Sequence, residues 1–417
     1  MTYEELEAFL FARARAGMKL GLERMQRALD ALGHPERSAP VIHVAGTNGK
    51  GSVCAFIERA CREAGLRTAL YTSPHLERFG ERLRFDGVAL GEDEIVRRFE
   101  AIRARVPWVC GDGGEALTFF ELVTLLGFEA IAARGVDVAV VEVGLGGRFD
   151  ATNVVAPRLT CVAPVGLDHQ EFLGDSLAQI AWEKAGIIKP GVPVVSARQE
   201  PEALAVIERV GRELGAPLSV EGRDFELPDE VEVGLRGAHQ RSNAAVAWRA
   251  LELSRLPIPA AARRRGIARA TWPGRLETVR QSPDVVLDGA HNPHATKALV
   301  AAVRELFPRR PVQLVLGVLA DKDAREMLAD LAPMAERIIA TAPSSPRAVP
   351  AEQLAALVRE RHREVEVVSD AKQAVERAMA RARPDEVVVV CGSLYLVGEV
   401  RAYLRGEKSG GPSEVVR

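Results

Sequence analysis

Val41-Ile42-His43-Val44-Ala45-Gly46-Thr47-Asn48-Gly49-Lys50-Gly51-Ser52 decides how this chain is read. The first five residues have the composition of a short buried strand, and a glycine-rich run follows. Helical spacing then continues to Ala64 with Gly65 as a stop, and 68–72 reads as the next strand. Strand, loop, helix and strand in that order begin a parallel α/β sheet. A loop between a buried strand and a helix collects anions, because the first helical N–H groups lack partners and the helix dipole is positive there. Gly46, Gly49 and Gly51 free the backbone to wrap an oxyanion, Lys50 supplies a charge, and Ser52 offers a hydroxyl to magnesium. The common signature G-x-x-x-x-G-K-[ST] is not met, since Gly51 separates Lys50 from Ser52 and position 44 is valine. A tight turn with a solvated lysine is the plain alternative.

Outward from this run, 3–32 has helical spacing that Gly17 and Gly21 should break in two. The stretch 71–91 lacks sustained periodicity and is expected to be a long functional loop. Residues 136–142 form a strongly apolar strand ending in Glu142, and 159–164 another, ending just before Gly166-Leu167-Asp168-His169. A helix is predicted over 176–185. The character changes at Thr271-Trp272-Pro273-Gly274-Arg275, after which strands are expected at 284–288, 312–318, 337–341, 365–368 and 386–391. The expected fold is α/β, with a P-loop-type N-terminal domain on a parallel sheet (1–272) and a smaller Rossmann-like C-terminal domain (273–417). The last stretch, from about Gly406, reads as a polar tail.

Bulk properties narrow the function. The 417 residues are enough for two or three domains. A formal net charge of -2 argues against a nucleic-acid or membrane-surface partner. Five cysteines without a C-x-x-C pair suit a reducing compartment, and no stretch approaches the roughly 18 apolar residues of a membrane span. A cytoplasmic monomer is expected.

Three polar positions carry chemistry. Glu142 ends a buried strand, where a carboxylate can face a magnesium–phosphate pair; a solvated strand end is its alternative. Asp168-His169 occupies a similar place, although histidine is an unusual ligand for hard magnesium. Lys184 falls on the apolar stripe Leu177, Ile180, Ala181 and Ile188. A desolvated lysine deprotonates easily and can take up carbon dioxide as a carbamate, a carboxylate-like metal ligand; a snorkelling lysine is the alternative. Gly144-Leu145-Gly146-Gly147 is rejected as a dinucleotide fingerprint, because no helix-length segment follows. His34 and His239 read as surface or packing residues.

Taken in order, several stretches together resemble folylpolyglutamate synthase and the bifunctional bacterial dihydrofolate synthase of the Mur ligase superfamily. They are 46–52, Thr72-Ser73-Pro74-His75-Leu76, 142–147, Asp150-Ala151-Thr152-Asn153, 166–169, Glu183-Lys184-Ala185-Gly186, 272–277, 288–293 and Gly392-Ser393-Leu394-Tyr395. The resemblance implies an ATP-dependent ligase that adds L-glutamate to dihydropteroate or reduced folates through an acyl phosphate. It implies that Gly46, Thr47, Asn48, Gly49, Lys50, Gly51 and Ser52 hold the ATP phosphates, with Asn243, Arg275 and Asp288 reaching ATP across the domain cleft. It implies two magnesium sites, one on Ser73 and Glu142 with Ser52 nearby, the other on Glu142, His169 and carbamylated Lys184. Thr118, Phe119, Phe120 and Glu121, with Phe149, Asp150 and Ala151, resemble pterin-binding segments, and His291 and Ser393 are candidates for positioning glutamate. A monovalent cation is allowed by the reading. The rivals are a Mur-type ligase on a nucleotide-peptide substrate and a P-loop ATPase switch.

Overall fold

The computed structural model describes residues 1–14, 21–111 and 113–406. The expected break at Gly17 and the polar tail beyond Gly406 lie outside them.

Eight strands form the first sheet: β1 (Val41–Ala45), β2 (Thr68–Tyr71), β3 (Leu83–Phe85), β4 (Val88–Ala89), β5 (Val138–Glu142), β6 (Leu159–Val162), β7 (Val194–Ser196) and β8 (Leu218–Val220). Their order is β4-β3-β2-β5-β1-β6-β7-β8; β2, β5, β1, β6, β7 and β8 are parallel, and β3 and β4 add an antiparallel edge. All five residues of β1 are buried, because helices cover both faces. Alternation sends Val41, Ala139 and Val141 into one core, and Ile42, Val44, Val138 and Val140 into the other.

The second sheet has the order β13-β12-β11-β14-β10-β9. Its strands are β9 (Glu277–Arg280), β10 (Asp284–Leu287), β11 (Val312–Leu316), β12 (Arg337–Ala342), β13 (Val365–Asp370) and β14 (Val387–Cys391). Only β9 is antiparallel to its neighbour. Trp272 packs on the first domain's core and Leu276 on the second's.

One expectation needs correction. Half of 71–91 is regular: a 3-10 turn Phe79–Arg82 and the hairpin β3-β4 extend the sheet edge. Asp86 and Gly87 both have positive φ (50° and 83°), the geometry of a two-residue hairpin turn, so the Asp-Gly pair was the overlooked signal. Among the described residues no helix is long and apolar enough to cross a membrane.

Candidate active site

The carboxyl ends of both parallel sheets face one cavity of about 1150 Å³ between the domains. Every residue singled out above for phosphate, metal, pterin or glutamate lines it, from Gly46–Ser52 to Ser393.

The phosphate loop is shaped by its neighbours. Helix Lys50–Glu63 starts on Gly49, whose left-handed φ of 83° brings its Cα against Asn243; an added Cβ would lie 2.4 Å from Asn243 Oδ1. A Cβ at Gly51 would lie 2.7 Å from Trp272 Nε1, so a side chain between Lys50 and Ser52 has no room. Lys50 Nζ turns back on its own loop and donates to Gly46 O at 3.0 Å and Thr47 O at 3.1 Å. Thr47 Oγ1 exchanges hydrogen bonds with Gly166 at 3.0 Å, which ties the loop to the turn carrying Asp168 and His169.

Glu142 is buried, and one carboxylate oxygen accepts the Ser73 N–H at 3.0 Å. Burial pushes its carboxyl up, against the pull of Lys50, the Ser73 amide and Arg275. Lys184, in helix Leu177–Ala185, is 3% exposed, and no hydrogen bond or ion pair to its amine is found among the described residues. Burial first, then Lys50, lowers it to about 7. Among the described residues no three His, Cys, Asp or Glu side chains are grouped so that they alone could hold a metal ion. The donors fit magnesium in another way: a carboxylate held by one backbone N–H, and nearby hydroxyls beside a phosphate loop, suit an ion that completes its shell with substrate phosphates and water.

On the pterin side, Thr118 caps helix Phe119–Arg134, and Glu121 accepts the Thr118 N–H and hydroxyl at 2.8 Å each. The other Glu121 oxygen takes Arg24 at 2.9 Å. The two phenylalanines part company: Phe119 is buried and stacked on Phe11, whereas the half-buried Phe120 ring lies over Gly144. Phe149 is 47% exposed at the rim. Asp150 is buried and holds its own turn, accepting from Leu145 N at 2.9 Å and Thr152 N at 3.0 Å. The Gly144–Gly147 turn leads into a short 3-10 segment, Ala151–Val154, in keeping with the rejected dinucleotide reading.

The second domain contributes Asp288, which accepts from Leu276 N and Ala290 N at 2.9 Å, and Arg275, bonded to Gly274 O at 3.1 Å. The His291 Nδ1–H donates to Gly289 O at 2.7 Å, which leaves Nε2 as an acceptor. Burial, then Lys322, lowers His291 to about 4, so the ring is neutral near pH 7. Ser393 caps helix Leu394–Arg405.

Sequence reasoning singled out Asp168 beside His169 but missed Lys322 and the convergence of partners that makes Asp168 the hub of the cleft. Asp168 accepts from Lys322 Nζ at 2.7 Å and Asn292 Nδ2 at 3.0 Å, with His169 and His291 at 3.7 and 3.8 Å. Burial pushes this carboxyl up, but His291, His169 and Lys322 more than reverse it and hold it well below the usual range. A signal for Lys322 existed: only eight of the 55 basic residues are lysine, and three of those, Lys50, Lys184 and Lys322, line the cavity. His239, expected at the surface or in packing, lines the cavity half-buried.

Residues 274–394 match the Mur ligase, glutamate ligase domain family. The chain is 35% identical to the folylpolyglutamate synthase of Lacticaseibacillus casei over 98% of this chain and 100% of that one. It is 35% identical to the dihydrofolate synthase/folylpolyglutamate synthase of Escherichia coli, covering 94% and 93%. The chain belongs to the folylpolyglutamate synthase/dihydrofolate synthase family. Its fold agrees with solved members of that family. E. coli FolC in complex with DHPP and ADP superimposes with a TM-score of 0.89 at 34% identity, over 97% of this chain and 98% of that one. The Yersinia pestis bifunctional enzyme complexed with AMPPNP and a Mn ion gives 0.85 at 35% identity, over 93% and 94%.

Proposed function

We propose that the chain is an ATP-dependent ligase that adds L-glutamate to dihydropteroate and to reduced folates, in folate synthesis and polyglutamylation. One observation carries this: a single cavity joins the phosphate loop, a buried lysine lowered to about 7, the wall formed by Phe120 packed on Gly144, and the loops of the second domain.

The domains divide at 272/273. The first binds the nucleotide phosphates and the pteroyl group; the second binds glutamate and reaches the nucleotide through Arg275 and Asp288. Lys50 leaves its two carbonyls for the triphosphate and draws the γ-phosphoryl towards the pteroyl carboxylate, which becomes an acyl phosphate. Ser52, Ser73, Glu142, His169 and Lys184 would hold magnesium, which when bound neutralises charge between carboxylate and triphosphate. The Lys184 amine, neutral in about half the molecules near its lowered pKa, adds to carbon dioxide and releases a proton, leaving a carbamate. Phe120 and Phe149 flank the flat heterocycle. Ser393 and His291 position glutamate, whose N–H can donate to His291 Nε2; its amine attacks the acyl carbon and phosphate leaves. The closed cleft keeps water from the acyl phosphate. The chain acts as a monomer.

The test is ADP release by purified protein with ATP, magnesium and glutamate, comparing dihydropteroate with tetrahydrofolate. Turnover that needs glutamate and a pterin supports the ligase. ATP hydrolysis indifferent to both rejects it.

A further inference from the structure

Residues 73–82 run as a strap from the cavity floor to the second domain. At the start, Ser73 N–H holds Glu142. In the middle, Glu81 accepts the backbone N–H groups of Leu76, Glu77 and Arg78 at 3.0, 3.2 and 3.0 Å, so these residues form one rigid turn. At the end, Thr72 N–H donates to Arg82 O at 2.9 Å, and Arg82 Nε to His75 Nδ1 at 2.9 Å.

The outer face of this strap is docked on the C-terminal helix Leu394–Arg405. Leu76 packs on the core that contains Leu396, Val397 and Val400. Gly398 lies so close that an added Cβ would be 2.0 Å from Leu76 O. Beside it, Arg401 donates through Nη1 to Glu77 and through Nε to both oxygens of Glu277, at 3.0 and 2.8 Å. Glu277 also accepts the Gly274 N–H at 2.8 Å. The side chains of Arg401 and Glu77 are only 11% and 5% exposed, and neither lines the cavity. One guanidinium thus joins helix, interdomain linker and strap through charge-assisted hydrogen bonds to Glu77 and Glu277.

We propose that Arg401 is a positioning residue for the phosphoryl-transfer centre. Through Glu77 it holds the strap in register, so that Ser73 and Glu142 stand in their metal-binding places only while the second domain is docked. The inference rests on the ligase reading for the roles of Ser73 and Glu142.

The experiment titrates magnesium against binding of a non-hydrolysable ATP analogue to the full chain, alongside kcat and the KM for ATP. For Arg401→Met the expected result is a fall of about tenfold in kcat and a rise of about fivefold in the magnesium needed for half-maximal binding, with metal-free analogue binding unchanged. Arg401→Lys should recover most of both. Glu77→Gln should act in the same direction, and the double variant should be no worse than Arg401→Met, since both act through one contact. Gly398→Ala, which displaces Leu76 from the other side, should reproduce the magnesium shift and serves if Arg401→Met does not fold. A wild-type magnesium titration in Arg401→Met or Gly398→Ala, equal loss of metal-free binding, or additive losses in the double variant would overturn the proposal. Metal-independent binding by the unaltered chain would instead remove the ligase reading beneath it.

Discussion

Asn48 of the phosphate loop and Asn292 of the second domain exchange two side-chain hydrogen bonds across the cleft, each 3.1 Å long. Asn292 has no capacity to spare. Its oxygen also accepts the Ala295 N–H at 2.9 Å, and its amide also donates to Asp168 at 3.0 Å. The pair therefore links the loop expected to hold phosphates to the hub that holds Lys322.

Asn292→Asp keeps the helix cap but turns two donors into acceptors facing Asn48 Oδ1 and Asp168. It should lose more kcat/KM than Asn292→Ala, by roughly tenfold, because an unmet buried acceptor costs about 1–3 kcal/mol and like charges add to that. Steady-state kinetics of both variants decide; equal losses would show that the amide pair serves packing alone.

Asp168→Asn removes the nearer of two carboxylates beside Lys322, at 2.7 Å, and leaves Asp321 at 3.4 Å. Breaking one side of a buried pair costs about 3–5 kcal/mol, so the melting temperature should fall along with activity. The sign with pH follows from the lowered pKa. Asp168 contributes stability that is present above its unfolded pKa and lost as pH falls below the ordinary carboxylate range towards its folded value. The variant should therefore show a flatter acid limb in its stability profile.

Lys184→Ala should lose ligation while still binding ATP, and a short carboxylic acid added back should restore part of the rate. Full activity in the variant would end the carbamate proposal. Unmodified Lys184 binds fewer protons folded than unfolded between pH of about 7 and its ordinary value, so stability rises with pH through that window. Below it, the buried ammonium costs on the order of a few kcal/mol, and Lys184→Met should melt higher than the unaltered chain at pH 6 when carbon dioxide is excluded.

Glu142→Gln should abolish magnesium-dependent turnover, since the cleft floor offers this carboxylate to a metal without an ion pair of its own among the described residues. A loss of 10²-fold or more is expected, as an order of magnitude, from removing charge stabilisation at the transferred group. Turnover near normal would take Glu142 out of the metal site.

What the sequence alone determined is local. Val41–Ala45 with its glycine run announced a strand, an anion loop and a helix, because hydrophobic period and glycine placement act over a few residues. The strands after Trp272 were legible for the same reason, and Lys184 stood out because a charge on an apolar stripe is a local contradiction. Glu142 and His169 were singled out as strand-end residues, and the resemblance supplied the rest of the site. What tertiary structure decided is everything that depends on distant partners. Asp168 became the hub only because Lys322 and Asn292, more than 120 residues away, close on it. Phe119 and Phe120, adjacent in sequence, both reach the cavity, but the turn of one helix buries the first against Phe11 and leaves the second half-buried over Gly144. Gly51 is explained by Trp272, and Arg401 by Glu77. Chain patterns record which face of an element is apolar; they do not record which element that face will meet.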